Sequence, residues 1–183
     1  SSLKDAGLPE EVAKMYPHEL SGGMKQRIII AMATLLRPSL VVADEPVTAL
    51  DVVAQKAILQ SIANLKNKHD ITVIFVAHDL AAHAEIDDRM AIMYAGKIVE
   101  LGTVYDIFED PIHPYTKLLV ASIPSVKKKV VKGIPGLSPS PLNWPPGCRF
   151  HPRCPYAMPR CSREEPELTE ISTGRFVACH LLR

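Results

Sequence analysis

Two adjacent carboxylates, Asp44 and Glu45, stand directly after a short apolar run from Leu40 to Ala43. Such a run suits a strand that is buried on both faces of a parallel sheet. Ligands of open α/β sheets bind where strands of this kind end. One carboxylate there can hold Mg²⁺, usually through water, and the other can orient an attacking water molecule. Taken alone, the pair is also consistent with a solvated loop that carries two acids.

Three small residues, Ser21, Gly22 and Gly23, precede a helical run from Met24 to Leu36. Ser21 suits the N-cap position of that helix. The start of a helix exposes backbone N–H groups and carries partial positive charge, and glycines allow a phosphate to approach the backbone closely. The pattern therefore predicts a phosphate contact, with an ordinary capped helix as the alternative.

Two further polar residues stand at the ends of predicted elements. Asp51 caps a predicted helix that runs to about Lys68, and His78 follows a run rich in β-branched residues from Ile71 to Ala77. That run predicts a second buried strand. By themselves, these residues are also explained as a plain helix start and a structural histidine.

The elements around these residues alternate between helix and strand, which indicates an α/β fold. The remaining predicted elements are a short helix Leu8–Met15, a short helix capped by Asp79, two strands Arg89–Tyr94 and Lys97–Leu101 around a turn at Ala95-Gly96, and a short helix Thr103–Glu109.

The composition excludes some classes of protein. The 183 residues carry a formal net charge of +1, so electrostatics give no case for nucleic-acid binding. The longest apolar stretch, Ile28 to Leu36, is far shorter than the roughly 20 residues of a membrane span. We see no secretory signal, and the first residues read as the middle of a protein, so we expect the chain to be truncated at its front.

In their order along the chain, these motifs resemble those of the ABC ATPase family. Residues 40–45 resemble its Walker B strand with the catalytic glutamate, residues 49–51 its D-loop, and His78 its switch histidine. The family usually has Thr or Ser where Val47 stands. The run from Leu20 to Arg27 resembles the signature motif, which here supplies the candidate binding residues Ser21, Gly22, Gly23 and Gln26.

The resemblance implies a role for each position. Asp44 would support Mg²⁺, Glu45 would polarise the attacking water, and His78 would contact the γ-phosphate of ATP. The start of the signature motif would contact an ATP held by the opposite subunit, and Asp51 would help to join the subunits. The implied fold is the C-terminal part of a RecA-like domain with part of its helical subdomain.

The P-loop pattern, Gly and four residues followed by Gly-Lys and Ser or Thr, occurs nowhere in the sequence. Its backbone amides and lysine provide the main grip on the β- and γ-phosphates. In this family the loop precedes the signature motif by roughly a hundred residues and would lie before Ser1. We therefore expect this stretch alone to bind ATP weakly and to be inactive as an ATPase.

The composition changes near residue 110, because most of the sixteen prolines and all four cysteines lie beyond it. The run from Asp110 to Leu119, which contains His113-Pro114-Tyr115-Thr116, resembles the C-terminal extension of oligopeptide and dipeptide importer ATPases, shared by some nickel importer ATPases. We predict a partial ABC ATPase domain over residues 1–105 and the extension over 106–183. A basic run reads as a solvated linker or as a contact to acidic lipid headgroups: Lys127, Lys128, Lys129 and Lys132.

The four cysteines of the extension are separated by five, six and seventeen residues: Cys148, Cys154, Cys161 and Cys179. Two disulfides would not suit a protein of the reducing cytosol. Zinc remains open, although no pair has the gap of two to four residues that is usual for zinc sites. Four thiolates also suit an iron–sulfur cluster. The importer resemblance favours a four-iron, four-sulfur cluster (4Fe-4S), with zinc as runner-up and four unconnected thiols as the third reading.

The resemblance implies an ATP-hydrolysing subunit of an ABC importer for oligopeptides, dipeptides or similar small solutes. It would act with ATP and Mg²⁺ as a peripheral protein at the cytoplasmic face of the membrane. Its partners would be a second ATPase subunit, two transmembrane permeases and an external solute-binding protein. The alternative is a non-catalytic metal-binding or regulatory module that keeps a remnant of the fold. The missing P-loop favours that alternative, whereas Asp44, Glu45 and His78 together oppose it.

Overall fold

A computed structural model describes residues 2–123 and 133–182 and shows a mixed α/β protein. The basic run at residues 127–132 lies outside the described residues. The chain divides into two compact units, Ser1–Asp87 and Asp88–Arg183. Within the described ranges, no helix combines the length and the apolar composition that crossing a bilayer requires.

The first unit contains a two-stranded parallel sheet and, among its described residues, four α-helices. Its α-helices and strands are α1 Ser2–Asp5, α2 Gly22–Thr34, β1 Leu40–Asp44, α3 Val52–His69, β2 Thr72–Val76 and α4 Leu80–Ile86. Two short 3-10 helices, Glu10–Lys14 and Pro17–Glu19, lie between α1 and α2, the first of them where the sequence predicted a helix over Leu8–Met15. β1 and β2 pair from Leu40 opposite Thr72 to Asp44 opposite Val76.

Helix α3 provides much of the core of this unit. Asp51 caps it by accepting a hydrogen bond from the Ala54 N–H at 2.8 Å, and Asp70, with a φ of 51°, ends it. Its buried side chains recur at helical spacing, and Ile58 and Ile62 belong to one cluster with Phe75 of β2. Burial of each large aliphatic side chain contributes about 1.5–3 kcal/mol.

One face of the sheet is covered in part, with Phe75 buried and Val41, Ala43 and Val73 half-buried, and the other face is exposed, so the prediction of burial on both faces was wrong. The open face carries four apolar side chains with 44–61% exposure: Leu40, Val42, Ile74 and Val76. Successive strand residues point to opposite faces, which places these four together in the β1–β2 register. A fully apolar run therefore identified the strands correctly but overstated their burial.

The second unit contains a four-stranded antiparallel sheet in the order β3-β4-β6-β5. Its elements are β3 Arg89–Tyr94, β4 Lys97–Thr103, α5 Val104–Glu109, α6 Pro114–Ala121, the 3-10 helices His151–Arg153 and Pro159–Ser162, β5 Thr169–Ser172 and β6 Arg175–Val177. The predicted turn between β3 and β4 is confirmed: Ala95 and Gly96 both have positive φ, at 49° and 79°.

The motif around His113 caps α6 and fills the core of the second unit. His113 is 1% exposed, and its Nδ1 accepts a hydrogen bond from the Tyr115 N–H at 3.0 Å. Its ring centroid lies 5.9 Å from that of Phe150. The buried Glu100 carboxylate accepts from the backbone N–H of His113 at 2.9 Å, and Arg175 lies 3.6 Å from Glu100. The residues around His113, which carry the importer resemblance, therefore have a structural role: they form a helix start that buried polar contacts hold in place.

We predict that protonation of His113 destabilises the protein in mild acid. Burial lowers the pKa of His113 to about 4, whereas an unfolded histidine titrates near 6.5. The unfolded state therefore binds more protons below about pH 6.5, and stability decreases as the pH falls from there toward 4. The free energy of unfolding should be about 2 kcal/mol lower at pH 5 than at pH 7 through this group.

Urea unfolding of the wild type and of His113→Asn at both pH values measures this contribution. Asparagine keeps an acceptor for the cap but does not titrate. The difference between pH 7 and pH 5 should therefore be smaller in the variant, and an equal difference in both proteins would contradict the assignment.

Candidate functional site

Glu45 and His78 form the centre of the candidate site. Nδ1 of His78 lies 3.0 Å from both carboxylate oxygens of Glu45. The side chains remain accessible, with 40% exposure for Glu45 and 77% for His78. The structure thus brings together two predicted site residues that stand 33 positions apart in the sequence.

The parallel pairing of β1 and β2 produces this contact. Asp44 and Val76 are opposite each other in the last register position of the two strands. The chain then turns at Glu45, whose φ is 49°, and the Glu45 N–H donates to the Val76 carbonyl at 2.8 Å. Because this bond ties the residue after β1 to the end of β2, both side chains emerge at one edge of the sheet.

Hydrogen bonding keeps Glu45 in its ionised form. The Thr48 hydroxyl donates to Oε2 of Glu45, and this bond, followed by the one from His78, lowers the pKa of Glu45. The same pairing with Glu45 raises the pKa of His78. A carboxylate that stays charged at neutral pH can orient and polarise a water molecule.

The pair opens into a cavity of about 380 Å³. Its lining combines the two titratable side chains with the segment after β1 and the start of α3: Glu45, Val47, Thr48, Ala49, Gln55, Ala77, His78 and Asp79. Gln55 steadies the first of these segments, because its Nε2 donates to the Val47 carbonyl at 3.2 Å. The cavity gives a small polar molecule access to the Glu45 carboxylate.

Asp44 and Gln26 line a different cavity, of about 290 Å³, whose walls are otherwise mainly apolar side chains of α2, β1 and α3. Asp44 is exposed at the end of β1. The structure therefore separates the two adjacent acids, with Asp44 beside α2 and Glu45 beside His78.

The start of α2 packs closely on the start of α3. Ser21 caps α2 as predicted, since its Oγ accepts from the Met24 N–H at 3.2 Å. A Cβ added to Gly22 would lie 3.3 Å from the Leu50 side chain, and one added to Gly23 would lie 3.2 Å from the Cβ of Ala54. Both glycines thus have a packing role in addition to the predicted phosphate contact.

Two residues that contribute to the site were not identified from the sequence. Thr48 bonds the Glu45 carboxylate, although its position gives no pattern beyond its nearness in the chain. His83 is buried behind the strand end that carries His78, and its Nδ1 lies 2.6 Å from Oδ2 of Asp87. The spacing of four residues between His83 and Asp87 on a predicted helix could have indicated that pair.

The four cysteines belong to the second unit, and all are free thiols. Burial raises the pKa of Cys148, Cys154 and Cys179, and electrostatic repulsion from one another and from Cys161 adds to this effect. Across residues 2–123 and 133–182, however, no three His, Cys, Asp or Glu side chains converge in a way that could hold a metal ion. The structure therefore does not support the predicted metal site.

A glycine fixes the loop that begins the cysteine segment. Gly147 has a φ of 66°, and the N–H of the next residue, Cys148, donates to the Cys161 carbonyl at 2.8 Å. A Cβ at Gly147 would lie 2.4 Å from that carbonyl oxygen. No side chain fits there without a shift of the backbone, so two of the cysteines are held together through a contact that requires glycine.

Comparison with known proteins finds similarity in both units of the chain. Residues 1–48 match the family model described as "ABC transporter", and residues 99–161 match the model described as "Oligopeptide/dipeptide transporter, C-terminal region". The dipeptide transport ATP-binding protein DppD of Caldanaerobacter subterraneus is 50% identical over 94% of this chain and 54% of its own length.

Two further relatives are similar over most of the chain. The oligopeptide transport ATP-binding protein AppD of Bacillus subtilis is 46% identical over 94% of this chain and 53% of its own length. For the DppD protein of Escherichia coli, the identity is 43% over 97% of this chain and 56% of its own length. The chain is thus similar to the ATP-binding proteins of oligopeptide and dipeptide transport, as predicted, and spans about half the length of these relatives.

A solved structure, the dimer of an ATP-binding cassette in a post-hydrolysis state bound to ADP and Pi, is also similar. It is 32% identical, covers 56% of this chain and 44% of that chain, and has a TM-score of 0.49.

We predict that Glu45→Gln lowers the pKa of His78, because the variant removes the negative charge that stabilises the imidazolium. The titration of the His78 ring followed by NMR measures this change. His69 pairs with Asp5 at 3.2 Å, at the opposite end of α3 from Asp51, and provides the control. A His78 pKa that is equal in the two proteins would show that the contact with Glu45 does not form in solution.

Proposed function

We propose that the complete protein is the ATP-hydrolysing subunit of an ABC importer for oligopeptides, dipeptides or similar small solutes. The contact between Glu45 and His78 at the edge of a parallel sheet carries this proposal. The identity of 43–50% with ATP-binding proteins of dipeptide and oligopeptide transport supports the transported class.

The site residues suit hydrolysis of a phosphoanhydride. Glu45, held ionised by Thr48 and His78, polarises a water molecule that enters the cavity. Pairing with Glu45 raises the pKa of His78, so an N–H of its protonated ring would donate a hydrogen bond to a γ-phosphate. Asp44, exposed at the end of β1, would hold Mg²⁺, and the bound ion would supply positive charge beside the phosphates.

The remaining predicted residues suit binding between two subunits. Ser21 caps a 13-residue helix that begins with Gly22 and Gly23, and the N–H groups at this helix start suit the γ-phosphate of an ATP held by a second ATPase subunit. Gln26 lies one turn further along the same helix. Asp51 is exposed at the start of α3 and would help to join the second subunit.

The proposed partners follow from the importer class. They are a second ATPase subunit, two transmembrane permeases and an external solute-binding protein, and the subunit is peripheral to the cytoplasmic face of the membrane. This assignment rests on the relatives and on the match of residues 99–161 to the transporter C-terminal region. We assign residues 1–105 to the partial ATPase domain and 106–183 to the extension.

We further propose that the four cysteines hold one 4Fe-4S cluster that stabilises the extension. Four free thiols within electrostatic range of one another, with a loop fixed by Gly147, support the donor set. A cluster distributes its ligands over several iron atoms, so the thiols need not converge on one point as they would around a single zinc ion. The cluster would supply folding free energy to a segment rich in proline.

We predict that Glu45→Gln in the complete protein slows ATP hydrolysis at least about 100-fold and leaves ATP binding largely intact. Glutamine keeps the shape but cannot act as a base, and loss of a general base typically costs a factor of 10²–10⁴. Phosphate release and nucleotide binding measured on the same samples separate the two effects.

The matched control is Glu11→Gln, the same change at an exposed side chain of the first unit, which should leave hydrolysis unchanged. Wild-type turnover in Glu45→Gln would show that Glu45 is not the base. No ATP binding by the complete wild-type protein would instead favour a metal-binding or regulatory module that keeps only a remnant of the fold.

We predict about four iron atoms per chain after anaerobic purification, and a broad absorbance near roughly 400 nm. Each Cys→Ser change, at any of the four positions, should lower both the iron content and the stability of the extension. Elemental analysis decides between the alternatives. One zinc ion and no iron would show that the cysteines form a zinc site and not a cluster. The absence of both metals would show that they are four unconnected thiols.

A further inference from the structure

His83 is a buried histidine whose two ring nitrogens both face acceptors. It is 8% exposed, and the edge-on ring of Phe75 lies 5.1 Å away between centroids. Nδ1 lies 2.6 Å from Oδ2 of Asp87, and Nε2 lies 3.1 Å from the Ala77 carbonyl oxygen. A carbonyl oxygen and a carboxylate both accept, so the two contacts are satisfied together when both nitrogens carry protons.

The second contact reaches the peptide group that precedes His78. The Ala77 carbonyl and the His78 N–H belong to one planar peptide unit, so a hydrogen bond to the carbonyl fixes the orientation of that plane. The preceding carbonyl, of Val76, accepts from the Glu45 N–H at 2.8 Å. Two successive carbonyls at the end of β2 are therefore held, one by the backbone of Glu45 and the other by His83.

We propose that His83 is a positioning residue for His78, which it holds through the Ala77 carbonyl while its own ring is protonated. This inference rests on the proposed function, in which His78 and Glu45 serve ATP hydrolysis. His83 itself touches neither residue in these contacts and acts through the backbone between β2 and α4.

The charges around His83 favour the protonated ring. Burial lowers the pKa of His83, but the bonds to Asp87 and to the Ala77 carbonyl and the negative charges of Asp87 and Asp79 outweigh it, so the pKa is raised overall. On α3, which packs against α4, Lys66 donates to the Ile86 carbonyl at 3.4 Å. Glu85, also on α4, is exposed.

A raised pKa sets the direction of the pH effect. The stabilisation from the charged ring is fully present below about pH 6.5 and is lost as the pH rises through the raised pKa of His83. A neutral ring has one N–H, and if that N–H stays on Asp87, the Ala77 carbonyl loses its donor. The orientation of His78 should therefore relax on the alkaline side.

Three variants of the complete protein test the proposal. His83→Leu removes both bonds and should lower kcat about three- to tenfold with little change in KM for ATP. His83→Gln can still donate to the Ala77 carbonyl and should retain most of the turnover. Asp87→Asn removes the charge that favours the protonated ring, so the alkaline fall of kcat should move to lower pH.

The matched control is His69→Gln, which alters another His–Asp pair of the first unit, with Asp5. It should change neither kcat nor its pH profile. Selective ¹⁵N labelling of histidine supplies a readout independent of activity. The backbone amide signal of His78 should shift in His83→Leu and shift less in His83→Gln.

The outcomes separate this inference from the proposed function. A lower unfolding temperature in the His83 variants, with unchanged kcat, pH profile and His78 amide signal, would overturn the inference and leave a structural histidine. Wild-type hydrolysis by Glu45→Gln would overturn the catalytic assignment instead. In that case the His78 amide signal of His83→Leu tests the inference without reference to activity. A shifted signal would support positioning of His78 by His83, and an unchanged signal would overturn it.

Discussion

The hydrogen bond from the Glu45 N–H to the Val76 carbonyl is the contact on which the candidate site depends. It extends the pairing of β1 and β2 by one residue beyond the last register pair, at the point where the chain reverses with a positive φ at Glu45. A left-handed conformation is unfavourable for a residue with a side chain, by about 1 kcal/mol or more. The bonds that Glu45 makes with its backbone and its carboxylate offset this cost and fix where the carboxylate points.

Hydrogen bonds on both sides of this contact hold the neighbouring backbone and side chains. On the side of β1, Thr48 bonds the carboxylate, and Gln55 bonds the Val47 carbonyl. On the side of β2, His83 bonds the Ala77 carbonyl. These contacts come from residues that lie after the strands, in the turn and in the first turns of the following helices. The sheet sets where Glu45 and His78 lie, and the segments that follow the two strands set how these residues are oriented.

Local patterns predicted the parts of the structure that depend on local chemistry. The caps Ser21 and Asp51 and the turn at Ala95-Gly96 formed as predicted, because each is decided by a few neighbouring residues. The sequence also placed Glu45 and His78 at the ends of two predicted strands, and their contact arises because these strands pair in parallel.

Contacts that depend on the packing of distant segments could not be predicted in this way. The two acceptors around His83 and the buried pair of Glu100 with Arg175 arise only when the elements pack. The open face of the sheet was missed for the same reason, because an apolar strand looks alike whether one face or both are covered.

The contact at Gly147 also has a genetic consequence. A single-base change in a glycine codon gives another glycine codon, a codon for a residue that carries a Cβ or, from GGA alone, a stop codon. A Cβ at this position would meet the Cys161 carbonyl oxygen at 2.4 Å, and the φ of 66° adds strain for any such residue. Every single-base missense change in this codon therefore introduces the same clash, so the loop that joins Cys148 to Cys161 has no neighbouring substitution that preserves it.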